Sequence, residues 1–346
     1  MALTAAPAQA WFAGRHATDL VEVSNDLAAL DAGGWWAVVV TFEGVVTLAR
    51  FAHVAQAPPP PHPWPGVDVA NWHSSTSGEQ YRHDVAEVRD LIAAGTVYQV
   101  NLCRRLSAPM PAGFGHLLGL ATVLHREHPS PFGGSVHLPD HGVHVASASP
   151  ELFVRRDGAR VSSSPIKGTA TVADELLPKD DAENIMIVDL VRNDLGRVCR
   201  TGSIEVDALL RVESHPGLVH LVSTVSGTLR DDAGWPELMA AAFPPGSVSG
   251  APKSSALRSI SALEPVPRGP YCGAVGWVDA DRQRAELAVG IRTFFVDVDE
   301  AGSRLCFGTG AGITWGSDPA REWDETELKA SRLLAVAAGA TDGSGT

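Results

Sequence analysis

Apolar and polar positions alternate with two different periods along this chain, and each change of period marks a boundary between elements. Trp35-Trp36-Ala37-Val38-Val39-Val40-Thr41-Phe42 is an unbroken β-branched and aromatic run. Glu43-Gly44 supplies turn residues and Val45-Val46-Thr47-Leu48 returns, so a hairpin is expected over Trp35 to Phe51. The proline-rich run Pro58 to Pro65 then breaks regular structure and reads as a stiff linker or long loop. Thr76-Ser77-Gly78-Glu79 has the spacing of a capping box, and Tyr81, Val85, Val88, Leu91 and Ile92 follow at helical intervals until Gly95. Strands are expected at Thr96–Leu102, Ser135–Val145, Glu151–Ser163, Gly273–Val278, Ala285–Val296 and Arg304–Phe307. Helices are expected over Asp181–Leu195, after Pro252 as far as Pro265, and from the cap-and-proline pair Asp318-Pro319 onward, where Leu328, Leu333 and Leu334 form an apolar stripe.

Strands and helices that do not alternate strictly predict an α+β fold with a mixed or antiparallel sheet. Two regions are expected: a β-rich part over 1–75, packed into the same globular unit and including the loop at 58–65, and a main domain over 76–340.

Composition narrows the field of partners. The 346 residues carry 45% hydrophobic and 19% charged side chains, an ordinary globular balance, with a formal charge of −13. That charge disfavours nucleic acid and anionic membranes as partners, and no apolar run approaches the ~20 residues of a membrane span. The stretch Ala5–Ala10 lacks a preceding basic or apolar region and is not expected to be a signal peptide. Cys103, Cys199, Cys272 and Cys306 form no C-x-x-C pair, so reduced thiols in a cytoplasmic protein are the simplest account.

Several residue groups bear on chemistry. Lys167 stands between Pro165 and Gly168, with Glu151 upstream and Asp180, Asp181 and Glu183 downstream. It reads either as a turn lysine on the surface or as a nucleophile beside acids. Glu322, Glu325 and Lys329 share one helix face. That face is a solvated one, unless Glu183 approaches and the carboxylates together suit Mg²⁺. Gly308-Thr309-Gly310-Ala311-Gly312 lacks the spacing of a dinucleotide fingerprint and reads as a tight turn or as a nest of backbone N–H groups for a carboxylate. Gly246 to Ser254 fails as a P-loop and reads as a loop into a helix N-terminus, which either favours an anion or is a helix-entry turn. His215 and His220 have no other metal-type ligand near them, and Arg292 interrupts a β-rich run as a solvent-facing residue or a carboxylate clamp.

Taken in order, Tyr98-Gln99-Val100-Asn101-Leu102, Ser149-Pro150-Glu151-Leu152, Pro165-Ile166-Lys167-Gly168-Thr169, Ala182-Glu183-Asn184, Arg192-Asn193-Asp194, His220-Leu221-Val222-Ser223, Gly250-Ala251-Pro252-Lys253, Gly310-Ala311-Gly312-Ile313 and Asp324-Glu325-Thr326 resemble the chorismate-utilising enzymes. These are anthranilate synthase, aminodeoxychorismate synthase component I, and the isochorismate and salicylate synthases. The resemblance runs from about Thr76 to Leu334. Lysine at 167 resembles aminodeoxychorismate synthase component I, whereas anthranilate synthases generally carry alanine there. Gln99 stands where the isochorismate and salicylate branch has a water-activating lysine.

The resemblance implies a large α+β sandwich flanked by helices, with the active site between its halves. It implies Lys167 as nucleophile and Glu151 as general acid. Glu183 and Glu325 would be Mg²⁺ ligands, with Glu322 and Asp180 holding metal-bound water. Tyr271, Arg292 and the amides of Gly310, Ala311 and Gly312 would bind the enolpyruvyl carboxylate, Thr169 and His220 would line the ring pocket, and Gln99 and Lys329 would complete the substrate site. Partners implied are chorismate, ammonia and a separate glutamine amidotransferase subunit. Asp181 and Pro245 depart from the family's usual arginine and glycine, and the tryptophan-binding region of relatives is hard to recognise before Pro58.

Overall fold

One antiparallel ribbon of strands runs through the molecule. The structure is a computed structural model and describes residues 6–170, 172, 178–215, 218–299 and 302–339. The first strands are β1 (Gln9–Phe12), β2 (Arg15–Ser24), β3 (Trp35–Val40) and β4 (Val46–Gln56). They are followed by β5 (His73–Ser74), helix α1 (Gly78–Ala93), β6 (Gln99–Pro109) and α2 (Leu118–Glu127). Strands β7 (Phe132–Leu138), β8 (Val143–Ser149), β9 (Leu152–Asp157), β10 (Arg160–Ser164) and β11 (Ile166–Ala170) lead into α3 (Pro178–Gly196). Next come β12 (Glu205–His215), β13 (Leu218–Thr228), α4 (Trp235–Ala242), β14 (Gly250–Ala251) and α5 (Lys253–Leu263). The chain closes with β15 (Ala274–Asp279), β16 (Arg284–Val289), β17 (Thr293–Asp299), β18 (Gly302–Ile313) and α6 (Pro319–Ala337).

Every described pairing is antiparallel, and the spatial order is β12–β13–β10–β9–β16–β15–β3–β4–β2–β1–β7–β8–β17–β18–β6. β11 continues the place of β10 beside β13, while β5 and β14 flank β6. Trp36, Val38 and Phe153 from one half of the ribbon share a core with Val136, Val145 and Phe295 from the other. Burying side chains of this size contributes about 1.5–3 kcal/mol each, so the ribbon folds back on itself as a sandwich. Helices α2 and α6 cover β8, β17 and β18 with a second apolar cluster, and α1 and α5 cover β6 and β18 with a third. No described helix is long and apolar enough to cross a membrane.

The hairpin over 35–51 forms with Val40 opposite Val46, and Gly44 takes the left-handed φ of +87° that its turn requires. Elsewhere the expected boundaries shift. The helix cap is Ser77 rather than Thr76: its side chain accepts from the Gln80 N–H. The runs 135–145 and 151–163 each hold two strands, β7–β8 and β9–β10, folded as hairpins. The run 285–296 breaks between β16 and β17 at Arg292, whose φ is +52°. Leu328 does not join the apolar stripe of α6. It is 75% exposed, whereas Leu333 and Leu334 are buried.

Candidate active site

A bulge aims Lys167 inward. Its expected place was a turn, but it lies on β11, where the register against β13 slips between Ile166 and Thr169. Gly168 at φ +82° absorbs the extra length, a conformation open to glycine. The Lys167 ammonium donates to the carbonyl of Ser247 at 3.1 Å. Ser247 is held in a 3-10 turn over Gly246–Val248.

Glu151 sits between β8 and β9 and is 3% exposed. Its carbonyl accepts from the Val289 N–H at 3.0 Å, which fastens the turn to β16. Burial pushes the carboxyl up to about 7, partly offset by a hydrogen bond with the Ser247 side chain, the charge of Lys167 and the backbone of Ile166. A cavity of about 20 Å³, room for one water, lies against Glu151, Ser163, Pro165, Val191, Asp194 and Ser247. On its far side Asp194 forms an ion pair with Lys253 at 2.7 Å.

The glycine run after Phe307 is neither a tight turn nor a nest, because it continues β18 in register with β6. Asn101 and Cys103 donate their N–H groups to Ser249 and Glu264, away from β18. Antiparallel geometry therefore turns the backbone groups of the opposite residues, Gly312 and Gly310, towards the free edge, while Ala311 pairs with Leu102. Ala311 thus offers its N–H to the ladder and not to a ligand, a correction to the expected set of three amides. On the sheet face, the missing side chains of Gly308, Gly310 and Gly312 leave room for the Tyr271 ring, the Cys103 sulfur and the Gln99 amide. The Lys167 Nζ stands 3.4 Å from where a Cβ on Gly312 would be.

Gln99 is 1% exposed, and neither its Nε2 nor its Oε1 has a hydrogen-bond partner among the described residues. A buried amide without partners costs about 1–3 kcal/mol, which a ligand in this pocket would relieve.

α3 packs on β11 and β13, and α6 packs on β18. Glu183 lies on α3, while Glu322 and Glu325 lie on α6. Glu322 is buried, and Glu325 accepts from Lys329 at 2.6 Å. Lys329 also donates to the Gly310 carbonyl at 3.1 Å. Among the described residues no three acidic, histidine or cysteine side chains gather as a metal set. The side chains of Asp180 and Thr169 lie outside the described residues, as do Pro216-Gly217 and the His215 side chain. The donors present are all hard oxygens, the type that Mg²⁺ takes.

His220 is 1% exposed on β13, in register with Thr169 on β11. The Tyr271 hydroxyl accepts from the Cys103 thiol at 3.7 Å, and burial raises the phenol well above its usual value. Arg292 reaches His128 Nε2 at 3.4 Å, and no carboxylate pairs with it among the described residues. Burial and the nearby Arg332 lower its pKa, and burial with both arginines drives His128 down to about 4. Ser247 was given no role by sequence reasoning, because its carbonyl and side chain meet Lys167 and Glu151 only across distant parts of the chain.

The family model for chorismate binding enzymes matches residues 39–335. The chain is 38% identical over 280 residues to an anthranilate synthase component 1 of Haloarcula marismortui, covering 78% of this chain and 55% of that one. It is 38% identical over 314 residues to anthranilate synthase component 1 of Streptomyces coelicolor, covering 84% and 60%. The chain therefore spans just over half the length of these relatives. The solved menaquinone-specific isochorismate synthase of Escherichia coli superposes with a TM-score of 0.80 at 18% identity, over 95% of this chain and 88% of that one, a likeness of fold.

Proposed function

The chain belongs to the chorismate-binding enzyme family, and from that premise we propose that it aminates chorismate, with ammonia released by a separate glutamine amidotransferase. One observation carries this reading. Lys167 Nζ stands at the bare face of Gly312 beside the unpartnered Gln99 amide, and its charge acts on the protonatable Glu151.

The chemistry follows from these groups. Hydroxide leaves a ring carbon poorly, so the C4 hydroxyl departs as water only when a carboxyl group protonates it. Glu151, with its titration near 7, keeps a large protonated fraction at neutral pH. As that C–O bond breaks, the Lys167 nitrogen, after giving up a proton to solvent, bonds to ring C2 and the double bond shifts. Ammonia then bonds to C4, the double bond shifts back, and the Lys167 C–N bond breaks. Gln99 has no basic nitrogen to take a proton from water, which favours ammonia as the incoming nucleophile. Arg292 and Tyr271, with the Gly310 and Gly312 N–H groups, would bind the enolpyruvyl carboxylate, and Thr169 and His220 would line the ring. Glu183 and Glu325 would hold Mg²⁺, with Glu322 and Asp180 reaching it through water. The ion, when bound, supplies charge neutralisation for the ring carboxylate.

The product on this reading is 4-amino-4-deoxychorismate, a precursor of 4-aminobenzoate. A second reading, anthranilate synthase component I, is favoured by the names of the relatives. Incubation of the chain with chorismate, Mg²⁺ and an ammonium salt separates the two. A product that retains the enolpyruvyl group supports the first, and anthranilate with pyruvate supports the second. No consumption of chorismate would sink both.

A further inference from the structure

Arg268 is 4% exposed and lies outside the residues so far given a role. Its guanidinium stacks over the Phe42 ring, 4.2 Å from the centroid. Nη1 donates to the Val248 carbonyl at 2.8 Å, and Nη2 donates to the Asn101 carbonyl at 2.7 Å. Nε and Nη2 together grip the Glu264 carboxylate at 2.8 and 2.6 Å. Glu264 in turn accepts the Cys103 N–H at 2.9 Å, and the Arg268 N–H donates to Glu43 at 2.7 Å.

These contacts join parts of the chain that form opposite walls of the site. Val248 follows Ser247, which accepts from Lys167 and bonds Glu151. Asn101 stands two residues after Gln99 on β6. Two carbonyl oxygens turned towards each other repel unless a cation lies between them. The Asn101 N–H bond to Ser249 fixes one point of the junction, and the guanidinium fixes a second, which sets the angle between the walls. We infer that Arg268 is a positioning residue: it locks Val248 against Asn101 and thereby sets the separation of Ser247, Lys167 and Glu151 from Gln99 and Gly312. Lysine cannot replace it, because a single ammonium has no planar fork to span two carbonyls and a bidentate carboxylate. As a role in catalysis, this inference rests on the proposed function; as a role in geometry, it does not.

The test is Arg268→Lys in the full chain. Well below the melting temperature, kcat with chorismate and ammonium is expected to fall about tenfold or more with KM changed much less, the pattern of a lost transition-state arrangement. The pH at which activity is lost on the alkaline side should also move down, as the loosened wall admits water to Glu151. A purely structural arginine would lower the melting temperature and leave kcat and this pH profile as in the wild type, which overturns the inference. A second readout needs no turnover. Titration of the Glu151 carboxyl by ¹³C NMR, assigned with Glu151→Gln, should show a lower midpoint in Arg268→Lys than in wild type. An unchanged midpoint overturns the positioning role even if the wild type proves inert towards chorismate. Should Arg268→Lys fail to fold, Glu264→Gln retains an acceptor for Cys103 while weakening the grip on Arg268. It is expected to move the same midpoint in the same direction, and no movement overturns the inference.

Discussion

The Lys167 ammonium and the carbonyl of Ser247 are joined by a 3.1 Å hydrogen bond, and the side chain of the same serine bonds the Glu151 carboxyl. One short turn therefore meets both the group proposed to attack the ring and the group proposed to protonate the departing hydroxyl.

Lys167→Ala tests the covalent step. If the amine bonds to the ring, formation of 4-amino-4-deoxychorismate falls at least about a hundredfold. The circular dichroism spectrum should stay as in wild type, because Lys167 is only half-buried. Retained formation of 4-amino-4-deoxychorismate, measured by chromatography of the products, would remove the lysine from the covalent step.

Glu151→Gln should lower kcat by about 10²–10⁴, the usual cost of losing a general acid. In the wild type, activity should decline as pH rises through about 7, where Glu151 loses its proton. Stability has its own sign. The folded carboxyl titrates above its unfolded value of 4.5, so the native state binds more protons between 4.5 and about 7. The native state therefore loses stability as pH rises through that window, by up to about 3 kcal/mol. Glutamine escapes the loss, so the variant should melt higher than wild type above pH 7 and lose that advantage below pH 4.5. Thermal melts at the two extremes measure the difference.

Gly312→Ala places a methyl group against the Gln99 amide and within 3.4 Å of the Lys167 nitrogen. Overpacking of this kind costs about 1–3 kcal/mol of stability. The larger effect should fall on turnover, because the methyl occupies the face offered to the ring. Kinetics that match wild type would show that the substrate lies elsewhere.

Lys329→Met frees Glu325 from its 2.6 Å ion pair and removes the donor to Gly310. The pair is half-exposed, so stability should change by no more than about 1 kcal/mol. Mg²⁺ binding by the unliganded protein, followed by calorimetry, should tighten because a competing cation is gone. Unchanged affinity would argue that Glu325 is not a ligand.

Legibility in the sequence depended on how much of each contribution is carried by side chains. The hairpin at 35–51 and helix α1 announce themselves through apolar spacing and turn or cap residues. β12 does not: it shifts register against β13, carries Leu210 at φ +53°, and leaves Val206, Leu209 and Val212 exposed. Its pattern matches no simple period. Lys167, Glu151 and Gln99 stood out as residues of the right chemistry, and the structure brings them together. Ser247 and Arg268 were given no role, because the contacts that define them, to Lys167 and Glu151 for one and to Val248, Asn101 and Glu264 for the other, arise only when distant parts of the chain fold together. The glycines of β18 were visible, but the strand they belong to was not, nor the room their absent side chains leave for Tyr271, Cys103 and Gln99.

Gln99, Glu151, Lys167, Ser247 and Gly312 come from points spread over most of the chain, and Val40 and Ala274, 234 residues apart, pair directly in the ribbon. Contacts of such long range close slowly, because the loops between them must be ordered before any bond rewards the ordering. Competence therefore arrives late on the folding path and all at once, and a fragment ending short of Gly312 has secondary structure to form but no chemistry to offer.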